Sequence, residues 1–455
     1  MTTTIFSGQS PAIENPEDLL LYFRSSEKPS KDWRVGTEHE KLGFDLATMQ
    51  PLPYAGERGI HRMLELFVEK FGWAPVVEDE SIIALLRGQA SITLEPGGQL
   101  ELSGAPLVTV HETCTELHQH LEETTSISKE LGIGWLGLGR NPVIPSKEMP
   151  WMPKKRYGIM RGYLPTRGKL ALDMMAGTAT VQTNLDYASE EDMSRKFFVG
   201  MSFSPLMTAL FANSPFAEGR PSGYLSTRTH VWQYTDPDRC GVPPSALREG
   251  FGYQDYINYA LDVPMFFIHR EGHYLPYPGR SFRTFVEKGM DGHVATHEDW
   301  LLHLTTLFPE VRLKNVLEFR MVDVGPPPFI CALAALSRGL FYDETALRDA
   351  EELARKLPVE THQAKREELL RHGLKSDIGG RSAQSWAMDL VNIAEAGLER
   401  LNQLDEQGEN EVKFLAPLRQ IATSGTTQAE ALLETWAKDW NKTFPPLMDS
   451  TWRMA

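Results

Sequence analysis

The order of elements along this chain predicts an α+β fold: a mainly antiparallel sheet forming an acidic catalytic cavity, with surrounding helices and a helical C-terminal third. Three observations predict it. Stretches with the two-residue period of half-buried strands recur between residues 30 and 325, with helices interspersed. Helical spacing takes over after Pro326-Pro327-Pro328. The non-core faces of the strand stretches repeatedly carry acids or carboxamides. The chain therefore reads as a single catalytic unit over 1–455, with a sheet-containing core at 30–325 and a helical region at 326–455 packed on it.

Composition narrows the function classes. The 455 residues are 41% apolar and 24% charged, which suits a globular protein with ample core. The formal charge of −15 is a poor match for nucleic acid or an anionic membrane surface. The basic run Lys154-Lys155-Arg156 is too short for a nucleic-acid face. No apolar run approaches a membrane span, and residues 1–10 lack the pattern of a signal peptide. Cys114, Cys240 and Cys331 are too scattered for a disulfide framework or a zinc site, so a reducing cytoplasm is the expected compartment.

Taken in order, Asn15-Pro16-Glu17-Asp18 starts a helix through Leu19 and Phe23. Residues 32–45 form a strand on which Glu38 and Glu40, two apart, share a face. Residues 57–71 form an amphipathic helix with Ile60, Met63, Leu64 and Phe67 inward, stopped by Gly72. Residues 76–86 fit neither period cleanly. A hairpin follows: Ile92, Leu94, Leu100 and Leu102 alternate with Thr93, Glu95, Gln99 and Glu101 about a Pro96-Gly97-Gly98 turn. A long helix runs from about Leu107 to Gly132. Gly132 to Gly137 matches G-x-G-x-x-G, but it follows a helix and precedes a loop. Gly162 to Lys169 is one residue too long for a phosphate loop. Neither reads as a nucleotide loop.

The proline-rich residues 141–165 exclude one continuous helix and suit a substrate-covering loop. Residues 178–185 form a strand with Thr178, Thr180, Gln182 and Asn184 on one face. Ser189 caps the next helix, which Pro205 should kink. Residues 222–234 carry Arg228 and Trp232; a helix over 253–259 and a strand over 263–269 follow. The last strand, 315–324, faces Glu318 and Arg320 away from Leu317, Phe319 and Met321. Beyond it lie helices at 329–340, 344–356, 362–373, 383–405, 411–423 and 427–440.

One acidic strand face is ordinarily solvated surface. Here the pattern recurs on separate strands: Glu38 and Glu40, Glu95 and Glu101, Gln182 and Asn184, Glu318 with Arg320. If these faces share one sheet, they floor a cavity with hard oxygen ligands. Such ligands suit Mg²⁺ or Mn²⁺ rather than zinc, and those ions usually serve phosphoryl transfer. Arg156, Arg228 and Arg320 have the planar fork that grips carboxylate or phosphate. A two-carboxylate hydrolase without metal and a non-catalytic metal-binding protein remain open on the residues alone.

Several segments resemble the plant-type glutamate–cysteine ligase family. They are Val35-Gly36-Thr37-Glu38-His39-Glu40-Lys41, Leu94-Glu95-Pro96-Gly97-Gly98-Gln99-Leu100-Glu101-Leu102-Ser103-Gly104 and Arg156-Tyr157-Gly158-Ile159-Met160. Thr180-Val181-Gln182-Thr183-Asn184-Leu185-Asp186, Ser226-Thr227-Arg228-Thr229-His230-Val231-Trp232 and Leu317-Glu318-Phe319-Arg320 complete the set. The resemblance covers most of the chain in the family's order. It implies a glutamine-synthetase-like sheet and ATP-dependent joining of the γ-carboxylate of L-glutamate to the amine of L-cysteine through a γ-glutamyl phosphate. A related ligase with another acceptor amine is the alternative.

The same resemblance implies Glu38, Glu40, Glu95, Glu101 and Glu318 as ligands of Mg²⁺ or Mn²⁺. Gln182 lies close by, where relatives of another branch carry His. Arg320 faces the γ-phosphate of ATP and acts with Arg228 in catalysis. Arg228 and Arg156 hold substrate carboxylates, and Tyr157 and Trp232 shape the pocket. The expected partners are the small molecules ATP, L-glutamate and L-cysteine, with neither nucleic acid nor membrane, in a monomer or homodimer. The family's regulatory disulfide has Cys114 and Cys331 near the matching places, whereas a reducing compartment favours two unrelated buried thiols.

Overall fold

Period-two alternation sorts side chains onto the two faces of a sheet, and nine strands of this chain share one sheet. The computed structural model describes residues 10–357, 365–450 and 453–454. The sheet strands are β1 (Val35–Asp45), β2 (Ala74–Glu78), β3 (Ser81–Arg87), β4 (Ala90–Leu94), β5 (Leu100–Ser103), β6 (Ile133–Leu136), β7 (Thr180–Leu185), β8 (Val311–Leu313) and β9 (Leu317–Asp323). They lie in the order β8-β9-β7-β1-β5-β4-β3-β2, with β6 paired to the far half of β1. Every pairing is antiparallel.

The register decides whether the polar faces meet. Glu40 lies opposite Glu101, and Glu38 opposite Ser103 on one side and Gln182 on the other. Asn184 faces Glu318, which faces Arg312. Thr93 pairs with Glu101. All of these therefore share one face of one sheet. The other face carries Val35, Ile92, Leu94, Leu100, Leu102, Val181, Leu185, Leu317 and Phe319, all buried. Arg320 shares the polar face with Glu318, and a register slip between Phe319 and Val322 then turns Asp323 rather than Val322 to that face, opposite Thr180.

Helices cover the apolar face. Val110–Leu131 packs on β1, Pro327–Phe341 on β1 and β7, and Glu190–Leu210 on β9. Thr109 and Ser189 cap the first and third of these through Glu112 and Asp192 backbone N–H groups. The last helices pack onto Pro327–Phe341 through a close crossing. A side chain at Gly339 would meet the Ala394 carbonyl at 2.3 Å, and one at Gly397 would meet the Gly339 carbonyl at 2.0 Å. Only a bare Cα fits at either position.

Several expectations change in detail. Residues 74–87 resolve into the hairpin β2–β3. The G-x-G-x-x-G stretch is strand β6, too short to show its period alone, with Ile133 and Trp135 fully buried against the end of β1. The proline-rich stretch contains a helix, Lys155–Tyr163, that begins just after Pro153. The helix after Ser189 continues through Pro205 to Leu210. Of the helix expected at 362–373, Arg366–His372 is helical, and residues 362–364 lie outside the described residues. Residues 1–9 do too.

The expectation of two unrelated thiols is overturned. Cys114 on Val110–Leu131 and Cys331 on Pro327–Phe341 are disulfide-bonded, with Cα atoms 5.7 Å apart across a sequence separation of 217. The helices bring them together because both pack on β1. Closing so long a loop stabilises a fold by roughly 2–5 kcal/mol. Thiol titration of the oxidised protein in denaturant should count one thiol, Cys240, and three after reduction; three before reduction would refute the bond.

Candidate active site

The hairpin β4–β5 sets the site's first wall. The Glu95 N–H donates to the Gln99 carbonyl and the Gly98 N–H to the Glu95 carbonyl, both at 2.9 Å. Gly98 takes φ +87, which favours glycine. A Cβ at Gly97 would lie 2.1 Å from the Ala176 carbonyl, so the turn sits flush on the helix Ala171–Gly177. The Gln99 side chain completes the latch, donating to the Thr178 carbonyl at 2.8 Å and accepting from the Gly97 N–H at 2.9 Å. From the other side the Tyr157 hydroxyl donates to the Leu94 carbonyl at 2.6 Å.

The turn thus aims Glu95 and Glu101 at Glu40. Glu40, Glu95, Glu101, Gln182, Tyr157, Arg228, Trp232 and Arg320 line one small cavity of about 50 Å³. Glu40 and Glu101 are buried and Glu95 is half-buried. Burial raises the Glu40 carboxyl well above the usual range, and Glu95 and Glu101 add to the shift. Burial likewise raises Glu95, helped by Glu101 and opposed by Lys154 and Arg156. One Glu95 carboxylate oxygen is buried without a hydrogen-bond partner. Glu101 accepts from the hydroxyls of Ser103 at 2.6 Å and Thr93 at 3.3 Å.

Glu318 stands on the same face in another setting. It accepts from Arg312 at 2.6 and 3.0 Å, from Lys314 at 2.8 Å, and from Arg320. Although burial opposes ionisation, these cations, Arg312 first, hold its carboxyl well below the usual range. Glu38 accepts from Asn184 at 2.8 Å. The five carboxylates expected as ligands thus divide into a repelling trio, Glu40, Glu95 and Glu101, and the more distant Glu38 and cation-bound Glu318. Among the described residues no three His, Cys, Asp or Glu side chains already stand as a metal-ligand set. The trio nevertheless fits a hard divalent cation: its donors are carboxylate oxygens, one lacks a partner, and Glu95 and Glu101 add to the rise of Glu40 while Glu101 itself stays ionised well below the usual range.

Opposite the carboxylates stand two arginines. The Arg228 side chain donates to the Arg320 carbonyl at 2.9 Å, and Arg320 donates to Gln182 at 2.8 Å. Gln182 therefore supports Arg320. Arg228 opens the helix Thr227–Gln233, capped by Ser226. Ser226 donates to Asp323 at 2.8 Å, and Asp323 also accepts from the Ser214 hydroxyl at 2.7 Å and the Asn213 N–H at 2.8 Å. Trp232 lies one turn on and stacks edge-on against Phe308 at 5.6 Å. Arg156 is not on the cavity lining; its guanidinium lies 5.3 Å from the Tyr157 ring.

Sequence reading gave no site role to Lys154, Asp323 or Phe308, nor to Thr180, although it placed Thr180 on the polar face of residues 178–185. Lys154 is buried, and burial pulls its amine down to about 8 against the pull of Glu95 and Glu101. Its signal was present: it begins the basic run that abuts Tyr157. Thr180 donates its N–H to Glu40 at 3.1 Å. Asp323 and Phe308 carry no local signal. An open groove of about 910 Å³ between Glu190–Leu210 and Glu344–Arg355 contains no residue of the polar face.

Comparison with known proteins shows which family the chain belongs to. The model of Glutamate-cysteine ligase family 2 (GCS2) matches residues 34–445, nearly the whole chain and every element of the site. The chain belongs to that family. It is an enzyme of the ligase class. It is 44% identical over 436 residues to the chloroplastic glutamate–cysteine ligase of Nicotiana tabacum, covering 95% of this chain and 82% of the relative. The Arabidopsis thaliana enzyme is 43% identical over 436 residues with the same coverage. A solved glutamate–cysteine ligase from Francisella tularensis, in complex with AMP, shares the fold with a TM-score of 0.52 at 11% identity, over 91% of this chain and 87% of that one. The expected cytoplasmic location is withdrawn. It rested on cysteine scatter and the N-terminal residues, and the relatives are named chloroplastic enzymes. Among the described residues no helix is long and apolar enough to cross a membrane.

The raised Glu40 carboxyl has a sign. A carboxyl raised in the folded state costs no stability below its unfolded pKa. The cost appears as pH rises above that value toward the folded one. Glu40→Gln, which keeps an acceptor for Thr180, should therefore raise the melting temperature in EDTA by ~2 °C at pH 8 and not at pH 4, while the ligase loses activity. Equal melting temperatures at pH 8 would show that Glu40 carries no such cost.

Proposed function

We propose that the chamber between the hairpin β4–β5, β1, β7 and β9 is where this ligase makes γ-glutamylcysteine. The enzyme joins the γ-carboxylate of L-glutamate to the amine of L-cysteine and converts ATP to ADP and phosphate; another acceptor amine is not favoured. One observation carries the assignment to this chamber: a carboxylate trio, Glu40, Glu95 and Glu101, faces two guanidiniums, Arg228 and Arg320, across a single small cavity. Carboxylates alone would repel ATP, and arginines alone would need no carboxylates. Together they suit a phosphoryl transfer whose charge is neutralised from both sides.

Glu40, Glu95 and Glu101 would hold Mg²⁺ or Mn²⁺, which supplies the positive charge that lets the glutamate γ-carboxylate approach the polyphosphate. Arg320, kept in place by Gln182 and Glu318, faces the transferring phosphoryl group. Arg228 stands beside it, its side chain donating to the Arg320 carbonyl at 2.9 Å. Trp232 and Phe308 keep water from the acyl phosphate, which hydrolysis would waste. The amine of cysteine then displaces phosphate. Tyr157 acts through the hairpin, since its hydroxyl is committed to Leu94. Arg156 and Lys154 supply positive charge near Glu95.

Phosphate release from ATP should require glutamate and cysteine together, and cysteine should outperform other amines. Glu101→Gln should lower it by ~10³-fold or more and EDTA should abolish it. Near-normal turnover in the variant would remove Glu101 from the site, and turnover that resists EDTA would remove the metal.

A further inference from the structure

A second cavity, of about 350 Å³, adjoins the chamber and shares Arg228, Trp232, Phe308 and Arg320 with it. Its far wall brings in a residue outside every motif that resembles the family, Arg366, the first residue of the helix Arg366–His372. Arg366 forms an ion pair with Glu310, whose backbone carbonyl accepts from the Arg320 N–H at 3.0 Å. The C-terminal helical region thus reaches back to the catalytic arginine through a two-residue relay.

The polar atoms left unsatisfied here are all donors. The Nε–H groups of Arg228 and Arg366 and the indole N–H of Trp232 are buried without hydrogen-bond partners, and all three side chains line this cavity. A buried donor without a partner is costly, so three around one cavity call for an acceptor that the chain does not supply. Asp236 does not meet the need, because it pairs with Arg239 at 2.7 Å, and Glu310 is already paired with Arg366. Three donors, two of them cationic, with apolar walls from Trp232 and Phe308, suit a carboxylate on a small organic molecule. They suit polyphosphate less well, since the carboxylate trio that would draw metal and phosphate lines the neighbouring chamber and not this one.

We propose that Arg366 joins Arg228 and Trp232, already expected at a substrate carboxylate, and binds the α-carboxylate of an amino-acid substrate, so that the substrate spans the two cavities with its reacting group in the chamber. This rests on the ligase reading above. Both glutamate and cysteine carry such a carboxylate, and the experiment separates them.

Steady-state kinetics would compare the enzyme with Arg366→Gln and Arg366→Lys on two substrate pairs: L-cysteine against cysteamine, and L-glutamate against 4-aminobutanoate. Each second member lacks the α-carboxylate. For the substrate held by Arg366, Arg366→Gln should lower kcat/KM by ~10–100-fold, mainly through KM, while leaving the decarboxylated partner unchanged. Arg366→Lys should recover part of the loss. An equal fall for both members of each pair would show a structural role and overturn the proposal. So would a change confined to the KM for ATP. If the unmodified enzyme released no phosphate with glutamate and cysteine, the ligase reading would fail separately. Quenching of tryptophan fluorescence by the same four compounds would then decide the proposal, with equal binding by the unmodified protein and Arg366→Gln overturning it.

Discussion

The structure is arranged around the burial of like-charged carboxylates on one face of one sheet. Charges of one sign repel strongly where water is excluded, and the chain opposes them from three sides. Arg312, Lys314 and Arg320 surround Glu318 on the sheet itself. Lys154 approaches Glu95 and Glu101 from the start of the helix Lys155–Tyr163. Lys41 lies on the reverse face, where burial draws its amine down to about 7 while Glu101 and Glu40 pull it up. Its amine is 2.8 Å from the His120 ring nitrogen. What these cations leave uncompensated is Glu40 and one oxygen of Glu95, where a divalent cation would relieve both repulsion and the missing contact. Stability is given up at the point where charge is needed.

Such an arrangement works only if the carboxylates cannot swing apart, and the hairpin β4–β5 prevents that. Its turn is pressed against Ala176, tied by Gln99 to Thr178, and held from the other side by Tyr157 on Leu94. The Pro96-Gly97-Gly98 turn is therefore more than a reversal of the chain. Gly97 is required by the closeness of the Ala176 carbonyl, and Gly98 by its positive φ. On the opposite wall Asp323 has the corresponding part. It fixes Ser214, Ser226 and the Asn213 backbone, and with them the start of the helix that carries Arg228.

Much of this was legible beforehand. Alternation identified Glu38 with Glu40, Gln182 with Asn184, and Glu318 with Arg320, because side chains two apart on a strand must share a face. The missed strand β6 has four residues, one full period of alternation on each face, and nothing local distinguishes that from a loop. The five expected ligands looked equivalent in sequence. The tertiary structure separated them, because Arg312 and Lys314 fold back onto Glu318 and leave the hairpin carboxylates facing Glu40. Lys154 read only as part of a basic run too short for a nucleic-acid face; the fold buries it where the helix Lys155–Tyr163 begins.

The sequence by itself determined the period of each strand, the turn that separates Glu95 from Glu101, and the kind of chemistry that acids and arginines in those motifs perform. These are local properties, set by φ, ψ and side-chain spacing over a few residues. Only the tertiary structure decided that the polar faces share one sheet, that Cys114 meets Cys331, and that Arg366 reaches the wall beside Arg228. Register and helix packing join residues that are hundreds of positions apart. That choice is made by how apolar faces bury against one another across the whole chain, which no short stretch encodes.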